Sequence, residues 1–200
     1  ALEEVLQATG IPFETESGEG AFYGPKIDFF VPDALGREWQ LGTIQLDFSL
    51  PERFGLEYAA EDGSRLRPVL LHRAMLGAIE RFMGLLVEHY GGGFPVWLAP
   101  VQATVIPIAD RHIPYAQQVA SQLRARDLRV EVDDRGARMQ AKIRDAQLMK
   151  VPYMLVVGDK EEAAGAAAVR LRDGSDLGPL PVSDVIERLA GESRDRAAAP

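Results

Sequence analysis

The 200-residue chain contains no cysteine. This excludes a disulfide scaffold, a thiolate nucleophile and any cysteine-built metal site formed by these residues alone. Histidine is scarce: His72, His89 and His112 lie far apart, and none has a metal-ligand partner close in sequence. His89 and His112 read as surface residues near helix ends. No stretch of about 18 apolar residues occurs, so no membrane-spanning helix is predicted. The N-terminal segment Ala1 to Gln7 is acidic and amphipathic, whereas a secretory signal begins basic. Ala1 stands where an initiator methionine would, which suggests a piece of a longer protein. There is no Walker loop, no HExxH and no serine nucleophile elbow. Gly18 to Gly24 is glycine-rich, but it misses the dinucleotide fingerprint by one residue and follows no predicted strand.

Net positive charge is also absent. The formal charge is −8, so bulk attraction to nucleic acid is excluded. The distribution is uneven. Residues 1–95 hold 15 acidic and 7 basic side chains, whereas residues 96–200 hold 15 of each. The neutral half therefore has room for a local basic surface. Hydrophobic residues make up 46% of the chain, the balance of a globular protein able to bury a core.

Residues 2–9 predict a helix stopped by Gly10. Residues 26–31 and 38–48, joined by turn chemistry at 32–36, predict an antiparallel hairpin. A second hairpin is expected around Glu61, Asp62 and Gly63, returning along Arg67 to Leu71. Met75, Ile79, Phe82, Met83, Leu86 and Val87 predict a helix over 74–90 that packs on these strands. Gly91 to Pro95 breaks the chain. Beyond it, apolar runs at 101–108, 128–132, 152–157 and 166–171 alternate with helices over 113–126 and 137–150. Ser183 is placed to cap a closing helix. This half predicts a layered α/β domain with a largely parallel sheet. The tail Arg194 to Pro200 is expected to fray.

Single residues say less. Arg81 beside Glu80 reads as an ordinary surface arginine. Gln40 and Thr43 flank Gly42 on a strand and fit a solvent face. Arg135, Arg138, Lys142, Arg144 and Lys150 make the most basic stretch. Arg138 and Lys142 lie one helical turn apart and fit phosphate contact.

Longer strings are more specific. Gly18 to Phe30, Trp39 to Pro51, Pro68 to Phe82, Phe94 to Gln102 and Lys150 to Lys160 closely resemble the threonyl-tRNA synthetase family, and the resemblance runs over residues 2–192. It implies a class II aminoacyl-tRNA synthetase, here as a C-terminal portion. The implied fold combines α+β and α/β parts. Residues 1–91 would be a partial antiparallel catalytic sheet and 92–100 a linker. Residues 101–193 would be an anticodon-binding domain and 194–200 a disordered tail. The implied activity joins threonine to ATP with Mg2+ and passes it to threonine tRNA. The implied setting is cytoplasmic, in a homodimer, with no membrane partner.

The resemblance also implies roles for particular residues. Arg81 matches an ATP-contacting arginine, suited to phosphate charge that shifts during displacement. Gln40 and Thr43 match positions near the adenosine. Gly77, one turn before Arg81, would leave room for a ligand. Tyr23, Lys26 and Gln45 match positions around the amino acid and the tRNA end. His72 matches one of three zinc ligands, the other two lying upstream. Such a zinc would bind the threonine hydroxyl, and a site that bonds a hydroxyl strongly rejects valine. Glu161 and Arg170 match base-contacting positions. Gly136 departs from the family's frequent asparagine and removes a side-chain contact. His72 and Arg81 are expected to open into one cavity facing the Gln40–Thr43 strand. The rival expectations are a non-catalytic tRNA-binding protein and a split subunit completed by another chain.

Overall fold

The structure is a computed structural model that describes residues 2–198. It divides into two compact units, Ala1–His89 and Tyr90–Pro200.

The first unit begins with helix α1 (Leu2–Thr9). Strands β1 (Lys26–Pro32) and β2 (Glu38–Asp47) form the expected antiparallel hairpin. Its turn is held by Asp33, whose carboxylate accepts from the Leu35 and Arg37 amides and from the Trp39 indole. These bonds hold the Asp33 carboxyl well below the usual carboxylate range, Trp39 contributing most. A short helix α2 (Ser49–Arg53) follows, its first amides donating to Asp47.

The second hairpin differs from expectation. It consists of two-residue strands, β3 (Tyr58–Ala59) and β4 (Arg65–Leu66). The apolar run after it becomes β5 (Leu70–Ala74) and pairs with β2, giving a three-stranded sheet β1-β2-β5. Helix α3 (Ile79–His89) therefore starts five residues later than the periodicity predicts. Gly77 makes the bend between β5 and α3, at φ +61°. A Cβ there would stand 2.4 Å from the Leu41 oxygen, so strand β2 fills the space expected to admit a ligand. No residue of α3 is buried, and Ile79 remains 68% exposed. Phe82, Leu85 and Leu86 are half-buried, so the apolar face of that helix is only partly covered. Among the described residues of this unit Pro51 is the one buried apolar side chain.

The second unit carries the core. Its strands are β6 (Ala103–Pro107), β7 (Val130–Val132), β8 (Tyr153–Val157), β9 (Ala166–Leu171) and β10 (Asp176–Pro181). Its helices are α4 (Ile113–Arg124), α5 (Met139–Leu148), α6 (Asp159–Ala164) and α7 (Val182–Arg194). The sheet order is β10-β9-β8-β6-β7. β7, β6 and β8 run parallel, while β9 and β10 are antiparallel, so the sheet is mixed rather than largely parallel. The short α6 turns the chain back beside β8 and reverses the direction of β9. Alternation along β6, β8 and β9 sends Val105, Leu155 and Val169 toward one face, where Ala116, Val119, Val185 and Leu189 complete the larger core. Ile106, Met154 and Val156 face the other way, toward Ile143 and Ala146 of α5.

Two expectations at the C-terminus change. Ser183 lies inside α7 and bonds Asp184 instead of capping the helix. Arg194 ends α7, and the Asp195 and Ala197 amides donate to the Gly191 and Glu192 carbonyls, so the fraying expected from Arg194 onward is not seen there. Residues 199–200 of that expected tail lie outside the described residues.

Candidate functional site

In the first unit, pairing gathers polar groups on one sheet face. β1 places Lys26 opposite Gln45 and Asp28 opposite Thr43, and β5 places His72 opposite Gln45. Lys26, Asp28, Thr43, Gln45 and Asp47 therefore share a face by the two-residue period. Gln40 would fall on the opposite face in a regular strand. However, from Thr43 to Gln40 strand β2 advances three residues while β1 advances two, from Asp28 to Phe30. The extra residue is a bulge, and it returns Gln40 to the polar face. Its amide donates to Asp28 at 2.7 Å.

Two clusters result. At one end the Tyr23 hydroxyl donates to Gln45 at 2.9 Å, and Nε2 of His72 lies 2.9 Å from Asp47. The Tyr23 and His72 rings meet edge-on. These four residues line a cavity of about 280 Å³. Burial alone would raise the Asp47 carboxyl, but the Leu50 amide and His72 outweigh it and hold the group below its ordinary value. Next to it Lys26, opposite Gln45, pairs with Asp28 at 2.6 Å, and Asp28 in turn accepts from Gln40. Burial again acts against ionisation of Asp28, and the Lys26 hydrogen bond lowers it overall. The Thr43 hydroxyl is buried beside the Asp28 carboxylate and also favours its ionised form.

Arg81 belongs with the second cluster. Its Nη1 donates to the Gln40 carbonyl at 2.8 Å, and its guanidinium lies 5.5 Å from the Trp39 ring centroid. Trp39 is fixed in turn by Asp33. His72 lies opposite Gln45, whereas Arg81 bonds the Gln40 carbonyl, five residues along β2, and the cavity of about 280 Å³ includes His72 but not Arg81. Asp28, Asp33, Trp39 and Asp47 all organise this face and were not singled out from sequence. The signal was available in the polar two-residue spacing of Lys26 with Asp28, and of Thr43, Gln45 and Asp47, within otherwise apolar strands.

His72 with Asp47 has the form of a metal-ligating histidine oriented by a carboxylate through one ring nitrogen. However, no group of three or more His, Cys, Asp or Glu among the described residues is arranged to hold a metal. A catalytic zinc needs about three protein donors. These residues alone do not fit one.

In the second unit the expected residues separate. Arg170 lies on β9 opposite Met154 and pairs with Asp176 at 3.0 Å. It shares the sheet face toward α5. Glu161 sits in the first turn of α6, and its Oε2 accepts the Gly158 amide at 3.1 Å. Arg138 is exposed just before α5. Gly136 is exposed too, with nothing within 4 Å of an added Cβ, so the family's asparagine would fit there without disturbance.

Lys142 departs from the expected solvated face. It is 4% exposed, and its ammonium donates to the Asp133 carbonyl at 2.9 Å and the Pro107 carbonyl at 3.4 Å. It ties the ends of β6 and β7 together, so its ammonium is already engaged by backbone carbonyls. Arg135 is likewise engaged by Asp133 and Asp145. Lys142→Met keeps the aliphatic stem but leaves two buried carbonyls unpaired. It is expected to cost the second unit about 2 kcal/mol. Urea unfolding checks this, and the salt dependence of any RNA binding should be unchanged by it. His112, read from sequence as a surface residue, is 1% exposed and bonded to Asp159.

A cavity of about 500 Å³ in this unit, between residues 92–101, β7 and α5, includes none of the expected anticodon residues. No helix among the described residues is long and apolar enough to cross a membrane.

Comparison with known proteins matches both units. Residues 1–90 fit the tRNA synthetase class II core domain (G, H, P, S and T), and residues 102–192 fit the anticodon binding domain. The chain is 53% identical over 199 residues to the threonine–tRNA ligase of Thermus thermophilus, covering 100% of this chain and 30% of that protein. It is 56% identical over 192 residues to the threonine–tRNA ligase of Alkalilimnicola ehrlichii, covering 96% of this chain and 30% of that protein. A crystal structure of the RNA binding domain of threonyl-tRNA synthetase from Cryptosporidium parvum Iowa II superposes with a TM-score of 0.88 at 40% identity. It covers 95% of this chain and 48% of that one. The chain thus spans about 30% of the length of the curated relatives it matches.

Proposed function

Since the chain belongs to the threonyl-tRNA synthetase family, as its C-terminal portion, we propose that its first unit is one wall of a threonine-activating site and its second unit binds the anticodon of threonine tRNA. The observation that carries this reading is the bulge in β2. It brings Gln40 onto the same face as Lys26, Thr43, Gln45 and His72, five positions that the resemblance assigns to substrates. A tRNA-binding adapter would have no use for that polar face.

In this reading Arg81 meets ATP phosphate, with Gln40 and Thr43 at the adenosine. Arg81 is already oriented by Trp39 and the Gln40 carbonyl, so little reorganisation is needed when phosphate charge shifts. Tyr23 and Gln45, joined by a hydrogen bond, form the amino-acid end with Lys26 nearby. His72 supplies one donor to a zinc whose other donors come from outside this chain, and Mg2+ accompanies ATP. The setting is the cytoplasm, and the whole enzyme is a homodimer.

In the second unit, Glu161 and Arg170 contact bases and Arg138 contacts the backbone. Competition binding with the present chain checks this half. Threonine tRNA should compete at least about tenfold better than the same tRNA with altered second and third anticodon bases. Affinity should fall steeply with salt. Equal competition by every variant would reduce the contact to backbone charge.

A further inference from the structure

We infer that Asp159 is a positioning residue for Glu161. With Arg111 and His112 it locks the first turn of α6 to the segment that follows β6, and so sets where the Glu161 carboxylate meets a base. This rests on the assignment of Glu161 as a base-contacting group.

The two segments leave neighbouring strands. β6 and β8 run parallel and end together at Pro107 and Val157, and the Ile108 amide donates to the Val157 carbonyl at 3.0 Å. Asp159 closes the gap beyond that point. Its Oδ1 lies 2.8 Å from His112 Nε2, and Arg111 donates to both carboxylate oxygens at 3.1 and 2.7 Å. Tyr115 holds the far end of α6 by donating to the Ala166 carbonyl at 2.8 Å. Residues 111–115 therefore fix α6 at both ends.

An exposed arginine–aspartate pair alone contributes little to stability. The third partner changes its meaning. His112 is buried, its Nδ1 has no hydrogen-bond partner, and Asp159 is the only side chain its ring bonds among the described residues. A buried imidazole must be satisfied somewhere, so the ring anchors the carboxylate as much as the carboxylate anchors the ring.

Glu161 is two residues further along the same turn. The Gly158 amide occupies its Oε2, and among the described residues Oε1 accepts no hydrogen bond. That oxygen is free to accept from a base N–H. Discrimination by a single carboxylate requires placement to about half an ångström. The Asp159 clamp supplies this placement without touching the RNA itself.

The test uses the 200-residue chain, threonine tRNA and an anticodon-altered competitor. Asp159→Ala is expected to lower the ratio of the two affinities about tenfold. Binding of the altered tRNA should stay within about twofold, because phosphate contacts persist. Lys160→Ala, an exposed neighbour, should leave the ratio unchanged. A merely structural role would weaken both tRNAs together, and that outcome overturns the proposal. So does an unchanged ratio in Asp159→Ala while Glu161→Ala loses discrimination. If Glu161→Ala still discriminates, the base-contact assignment itself falls, and the clamp with it. Should Asp159→Ala lose its fold, Asp159→Asn and Arg111→Ala each keep the His112 contact. Both should then lower the ratio about threefold, and an unchanged ratio in both overturns the clamp.

Discussion

In hydrogen exchange on the isolated chain, the backbone amides of β6, β8 and β9 should exchange about a thousandfold more slowly than those of β1, β2 and β5, a gap of about 4 kcal/mol in opening free energy. Both sheets have paired ladders, each with one register shift, so hydrogen bonding does not cause the difference. Burial does. Val105, Ile106, Leu155, Val157 and Val169 are buried between helices on the two faces of the second sheet. The first sheet has no buried aliphatic or aromatic side chain among the described residues, and Leu71 and Met75 are 59% and 70% exposed. A three-stranded sheet without a covered apolar face is marginal in water. Mass spectrometry of proteolysed, deuterated chain resolves the two regions. Equal protection in both would mean that the first unit is stable for reasons other than apolar burial.

The second unit was largely legible because its signals are local. Continuous apolar runs such as Tyr153 to Val157 mark strands covered on both faces, and helical spacing marks α4 and α5. The direction of β9 was not legible. It depends on the six-residue α6, too short to leave a periodic signal. In the first unit, Leu70 to Ala74 reads as the return of a hairpin from its neighbours alone. Its actual partner, β2, lies more than twenty residues away, and pairing across that distance leaves no local trace.

The candidate site divides in the same way. The resemblance named Gln40, Gln45, His72 and Arg81, but not the residues that hold them. Asp47 and Trp39 act through a ring nitrogen and an aromatic face, which only three-dimensional placement reveals. The expectation for Lys142 failed because helical spacing says which residues share a face, not whether that face meets solvent. His112 failed likewise. Its hydrogen-bond partner, Asp159, lies 47 residues later.

The second large effect concerns catalysis. This chain alone should support no sustained threonine-dependent ATP–pyrophosphate exchange. Its polar groups spread along one open sheet face, from His72 and Gln45 to Gln40 and Arg81, and half a pocket does not preorganise a transition state. Joined to the upstream part of the Thermus thermophilus relative, the same residues should complete a site. In that chimera Arg81→Ala should lower exchange by about a hundredfold to a thousandfold, the cost of removing a preorganised group at shifting charge. Arg67→Ala, which removes only an exposed pair with Glu52, should leave it within about twofold. The most direct measurement is therefore threonine-dependent exchange by the chimera and its Arg81→Ala variant, side by side. An active chimera with a nearly silent variant is expected. Equal activity in the two would contradict the claim that this sheet face is a wall of the activating site.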